Sequence, residues 1–184
     1  MFEKFGEFDS AEELNRAAEA QRKEGDKEAL LILAKENGID KEDVEDFYDE
    51  IIEEFATPLI AATGKLKVEI KEYGLKAVLK DWAEELIELC IDNPNMAAGI
   101  RRKGKGLDGY IALLAEEGYA NRAVIDKRIV DKAPNCKKIC GNHEFSIGIP
   151  DKKTRKQIAI KYYIGPNTNI ESKHLEEDKK NESI

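Results

Sequence analysis

Histidine and cysteine are scarce in this chain, with two of the former and three of the latter among 184 residues. A chain of this length buries a core without covalent staples, so three thiols, an odd number, leave no reason to expect a disulfide framework. With so few histidines no complete triad of nucleophile, base and orienting group can be assembled, and no enzyme is expected. Long apolar runs are missing too: none approaches the roughly 18 residues a membrane span needs. The opening Met1-Phe2-Glu3-Lys4-Phe5-Gly6 is too charged for a secretory leader. The expected setting is the cytoplasm, with no membrane partner.

What the chain has instead is charge, on 37% of its residues, and that charge is divided by position. Residues 1–100 carry 26 acidic and 12 basic side chains, net −14, and residues 101–184 carry 12 and 18, net +6. Opposed fields of that size on one small protein concern its partners more than its folding. The plainer reading is solubility. The division suggests an acidic helical domain over 1–103 and a basic helical region over 104–165 packed on it. Residues 166–184 lack apolar periodicity and read as a disordered tail.

The fold class expected is all-α, a bundle of about seven to eight helices with a short β-hairpin arm near 136–149. Ser10 and Glu13 form a capping box, Phe8 staples the turn from outside, and Gly25 ends a helix over about 10–24. Asp26 opens the next, which Asn37-Gly38 stops. A third starts at Asp40, with Val44, Phe47, Tyr48, Ile51, Ile52 and Phe55 on one face at helical spacing. Thr57-Pro58 starts another that reaches about Tyr73, with Gly64 as a weak point. Leu75 to Cys90 forms one apolar stripe that includes Trp82, which therefore reads as core; Tyr162 and Tyr163 stay open between core and base stacking. A short helix over 95–103 leads into a glycine-rich basic connection. Helices are expected over Leu107–Glu117 and Asn121–Lys132, meeting near Gly118, and a basic one over Asp151–Ile164.

Three constellations carry possible chemistry. Glu42, Asp43, Glu45, Asp46, Asp49, Glu50, Glu53 and Glu54 crowd the third helix, where like charges at i, i+4 repel by a few tenths of a kcal/mol per pair. A basic partner offsets that repulsion, and an acidic rod competes for a channel built for nucleic acid; a solvated face is the plainer alternative. Gly99-Ile100-Arg101-Arg102-Lys103-Gly104-Lys105-Gly106 has the outline of a phosphate loop, but Gly106 replaces the Ser or Thr that binds magnesium. Arg101, Arg102, Lys103 and Lys105 then form a basic turn that contacts phosphates or an acidic protein surface. Cys136, Cys140 and His143 are spaced like metal ligands, yet a zinc site needs a fourth from Cys90 or His174, and loop residues are the reading preferred. No cofactor and no metal are expected.

Several stretches together resemble a known group: residues 4–18, Glu36-Asn37-Gly38-Ile39-Asp40-Lys41-Glu42-Asp43, Thr57-Pro58-Leu59, Arg101-Arg102-Lys103-Gly104-Lys105 and Gly148-Ile149-Pro150. They are similar to small proteins of clostridial phages and mobile genetic elements, the PcfK-like conjugation proteins and the type II anti-CRISPR proteins that inhibit Cas9. The resemblance spans about residues 4–165 and leaves out 135–143. It implies evasion of host defence by a stoichiometric inhibitor that binds Cas9 or its guide RNA complex in a bacterial cell and blocks target DNA binding or cleavage. The alternative is a nucleic-acid-binding accessory of conjugation or phage replication that holds DNA through the basic turn and Lys152, Lys153, Arg155 and Lys156. Association into a homodimer is left open.

Overall fold

Helix starts in this molecule are written by short polar side chains that satisfy first-turn N–H groups. The structure, a computed structural model, describes residues 2–165. Ser10 Oγ accepts from Glu13 N at 3.2 Å and Glu13 Oε2 from Asp9 N at 2.8 Å, opening α1 (Ala11–Glu24), which Gly25 ends at φ +70°. Asp26 caps α2 (Lys27–Asn37) in the same way, and Gly38 closes it at φ +66°. These two elements match their signals.

The third helix does not. It was expected to run from Asp40 to Phe55, but α3 covers only Lys41–Tyr48. Phe47 and Phe55 meet edge-on with ring centroids 5.3 Å apart, and both are buried. Eight residues of continuous helix would hold them about 12 Å apart along the axis. Burying both rings therefore requires the helix to stop, which it does at Asp49 and Glu50, with Glu50 at φ +60°. Carboxylates at the negative end of the dipole, with no basic residue in the last turn, favour the same outcome.

Thr57 caps α4 (Pro58–Glu72), and α4 is the hinge of the architecture. Its Gly64 is a crossing point rather than a weak one: a Cβ there would overlap the carbonyl oxygen of Asn37, and a Cβ on Gly38 would overlap that of Gly64. Two backbones touch because neither has a side chain in the way. The chain continues through α5 (Val78–Asp92), α6 (Pro94–Arg101) and α7 (Leu107–Ala120). Gly118, expected to separate two helices, lies inside α7, buried against the carbonyl of Gly148.

The helix expected over Asn121–Lys132 is replaced by an arm. It consists of β1 (Ala123–Val124), α8 (Lys127–Val130), α9 (Pro134–Cys140) and β2 (Ser146–Ile147), with β1 and β2 antiparallel in the register Ala123 to Ile147 and Val124 to Ser146. The hairpin expected near 136–149 thus closes further back, at residue 123. Asp126 accepts from Arg128 N at 2.8 Å and restarts the chain as α8, and Pro134 starts α9. Asp151 caps α10 (Lys152–Tyr163), as its sequence indicates. The tail expected over 166–184 lies outside the described residues.

Among the described residues the fold is all-α apart from that two-stranded arm, with ten helices. Two hydrophobic clusters hold it. Leu14, Leu30, Leu33, Val44, Phe47 and Phe55 centre the first, which reaches Ala61; Leu66, Trp82, Leu86, Met96, Ile100, Tyr110 and Tyr163 centre the second, which begins at Ala62. The core thus divides inside α4, not at residue 103 where the charge changes sign. Among the described residues no helix is long and apolar enough to cross a membrane.

Candidate binding surfaces

Asp40 to Glu54 packs nine carboxylates and one lysine into a short helix and the turn after it. Glu42 and Asp43 sit in the first turn of α3, where the dipole favours them. Beyond Tyr48 the N–H groups of Ile51 and Ile52 both reach back to the carbonyl of Asp46, at 2.8 and 3.3 Å, and fold the turn out of the helical line. Lys41 lies 3.4 Å from Glu45, and Lys67 lies 3.8 Å from Asp40. Glu42, Asp43, Asp46, Asp49, Glu50, Glu53 and Glu54 have no described cation within ion-pair distance. Glu42, Asp49, Glu50, Glu53 and Glu54 are exposed, Asp43, Glu45 and Asp46 half-buried. Ile51, expected on the buried face, is 69% exposed among them.

The basic turn is built differently from its sequence outline. Arg101 does not face a partner: it is 1% exposed, with Nη2 donating to Asn37 Oδ1 at 2.7 Å. Phe2 and Phe8 place their ring centroids 5.9 Å from its guanidinium, and Nε and Nη1 find no other described acceptor. Burial lowers its pKa to about 10, opposed by Glu7, Glu69 and Glu13. Arg102 and Lys103 are exposed, while Lys105 is half-buried with its ammonium 4.7 Å from the Tyr162 ring. The N-terminal strap fixes the turn from outside, since Asp9 Oδ1 accepts from Lys103 N at 2.9 Å and Glu7 Oε2 from Gly104 N at 3.2 Å.

Beneath the turn lies a group of ions that the sequence reading missed. Lys65, fully buried, donates from Nζ to Glu7 Oε1 at 2.6 Å and to the carbonyls of Arg102 at 3.0 Å and Lys105 at 3.3 Å. Glu69, one turn along α4, accepts from Leu107 N at 2.8 Å, with its other oxygen 3.9 Å from Lys65 Nζ. Burial pushes the Glu69 carboxyl up to about 7; Lys65 and the Leu107 N–H pull the other way. The signal was there: Lys65 and Glu69 fall at i, i+4 on the face that also presents Ala61, Ala62 and Leu66. The arrangement clamps the loop between α6 and α7 onto α4, and it turns the loop carbonyls inward.

Of the cations in α10, Arg155 is engaged. Its Nε and Nη2 meet both oxygens of Glu85 at 2.9 and 2.6 Å, and Nη1 donates to the Pro150 carbonyl at 2.6 Å. Lys152 lies 3.8 Å from Glu88. Lys153 and Lys156 are exposed and have no described ion pair. Trp82 and Tyr163 are core, and Tyr162 is half-buried with its hydroxyl donating to the Gly106 carbonyl at 3.1 Å. An open groove of about 580 Å³ between α7 and α10 is lined by Leu113, Ile158 and Tyr162 beside Lys105, Lys161 and Glu116.

Cys136 and Cys140 carry free, half-buried thiols on α9, and His143 is exposed on the turn that follows. Cys90 is buried in the second cluster, where desolvation pushes its thiol up to about 12. His174 lies outside the described residues, and among those described no three His, Cys, Asp or Glu side chains converge to hold a metal ion. No family model, curated protein or solved structure matches this chain.

Proposed function

We propose that this protein is a non-catalytic inhibitor of a nucleic-acid-guided nuclease of the host bacterium, Cas9 or its guide RNA complex. It works in the cytoplasm by occupying a surface that nucleic acid needs. The observation that carries the reading is the acidic turn: seven carboxylates between Glu42 and Glu54 stand without a described cation, although each like-charged pair at helical spacing destabilises the free protein slightly. Such a surface matches the positively charged channel that holds a guide–target heteroduplex. The resemblance to type II anti-CRISPR proteins supplies the name of the partner. Occupancy needs neither a cofactor nor a reacting side chain.

The conjugation or phage-replication reading, with DNA held by basic residues, has less support. Arg101 is buried, Arg155 is held by Glu85, Lys152 lies near Glu88 and Lys153 acts on Asp151, which leaves Arg102, Lys103 and Lys156 as exposed cations of this set without a described carboxylate partner.

Plasmid cleavage by Cas9 loaded with guide RNA tests the proposal. Protection is expected near an equimolar ratio, and it should weaken as salt screens the charges. Replacing Asp46, Asp49, Glu50, Glu53 and Glu54 together by Asn or Gln should lower the inhibitory potency by about tenfold or more while leaving the helical circular dichroism intact. Complete cleavage in the presence of a large excess of the unaltered protein rejects the reading.

A further inference from the structure

The arm between α7 and α10 exposes more aliphatic surface than its own folding needs. Val130 is the one large apolar side chain between residues 121 and 149 that is buried, whereas Val124, Ile129, Ile147 and Ile149 are exposed and Ile139 is 82% exposed. Cations alternate with them along the arm, six Lys or Arg against three Asp or Glu between residues 121 and 149. Arg128 is paired with Asp126 at 2.9 Å and Lys137 with Asp131 at 2.8 Å, and Lys127 also acts on Asp131, which leaves Lys132 and Lys138 without a described partner. A phosphate backbone would engage the lysines but gain nothing from isoleucine and valine. Exposed aliphatic side chains interspersed with lysines fit a protein face of the inverse kind, apolar and acidic.

This chain carries such a face. Ile51 stands exposed within Asp49, Glu50, Glu53 and Glu54, and Leu59 and Ile60, each more than a third exposed, follow it in the chain. α3 packs against α2 in the first cluster, while the arm is tied to the second cluster through the contact of Gly148 with Gly118 of α7. The two faces therefore belong to different halves of the molecule. We propose that the arm docks onto the acidic turn of a second copy of this chain, in head-to-tail association driven by apolar contact and steered by opposite charge. Because the two faces are unlike, the contact is heterologous and adds copies in sequence rather than closing a symmetric pair by itself. This association does not involve Cas9, so its failure leaves the proposed inhibition untouched.

Sedimentation velocity on the full chain tests it, with Ile139→Asp to set a negative charge against the acidic turn and Ile51→Lys to set a positive one against the arm. Both positions are exposed, so each variant should keep the helical circular dichroism of the parent. At low salt the mean mass of the unaltered protein should rise with concentration up to about 100 µM, as expected for a Kd on the order of 10 µM. Association should weaken at least several-fold at about 0.5 M salt. Each variant alone should remain monomeric. An equimolar mixture should associate again, since Ile139→Asp keeps a working acidic turn and Ile51→Lys a working arm. A monomeric parent at low salt, self-association that survives either substitution, or a mixture that stays monomeric overturns the proposal.

Discussion

Glu69 shows how a single residue couples fold and pH in this molecule. Its carboxyl titrates near 7 in the folded chain against 4.5 in an ordinary setting, because burial removes water that Lys65 and the Leu107 N–H replace only in part. Between those two values the folded chain holds a proton that the unfolded chain has released. The stability from this group is therefore complete below 4.5, falls as pH rises, and is gone above about 7. Glu69→Gln keeps an acceptor for Leu107 N and mimics the protonated carboxyl without titrating, so urea midpoints of parent and variant should lie closer together at about pH 5 and separate at about pH 8, with the parent losing stability relative to the variant as pH rises. Glu69→Leu strands Leu107 N and leaves Lys65 with Glu7 as its one carboxylate, and it should cost about 3 kcal/mol or more in the same measurement. A parent and a Gln variant whose midpoints run parallel across that range would contradict the assignment. At this scale sequence reasoning reads caps well, because Ser10, Asp26, Thr57 and Asp151 act on neighbours three residues away. It reads partnerships poorly: the burial of Arg101 depends on Asn37, Phe2 and Phe8, which come from far along the chain.

The same distinction between local and distant causes governs whole elements. The periodicity of Val44, Phe47, Tyr48, Ile51, Ile52 and Phe55 fits one helix, and nothing in that spacing tells that Phe55 turns back onto Phe47. The end of α3 at Tyr48 is a tertiary decision, taken at a place where the dipole already opposes Asp49 and Glu50. Asp49→Lys puts a cation at that helix terminus and should raise the stability of the free protein by about 0.3–1 kcal/mol, seen as a higher thermal midpoint. The same substitution should weaken any docking that uses the acidic turn, so stability and binding are expected to move in opposite directions. A lower midpoint would show that the carboxylate makes a contact of its own. The arm was partly legible for a related reason. Alternation near His143 to Ile149 marked one strand, but its partner at Ala123–Val124 lies within a stretch that reads as helix.

For the molecule as a whole, the informative relation is between the charge boundary and the core boundary. Charge changes sign near residue 103, which suggested two regions divided there, yet the hydrophobic clusters meet within α4, between Ala61 and Ala62. One rigid helix that contributes adjacent residues to both clusters, locked by the backbone contact of Gly64 with Gly38 and Asn37, makes independent unfolding of either cluster expensive. Trp82, the sole tryptophan, lies in the second cluster and reports on it alone. Leu33 is fully buried in the first, so Leu33→Ala should cost about 2–5 kcal/mol there. If α4 binds the clusters into one cooperative unit, that substitution must lower the urea midpoint of Trp82 fluorescence as much as that of far-ultraviolet circular dichroism. Were the clusters separate folding units, the Trp82 transition would stay where it is in the parent and the circular dichroism would split in two. A shared transition is the outcome that the geometry of α4 demands. It would also mean that the acidic and basic faces are presented by one body, with neither able to unfold and leave the other in place.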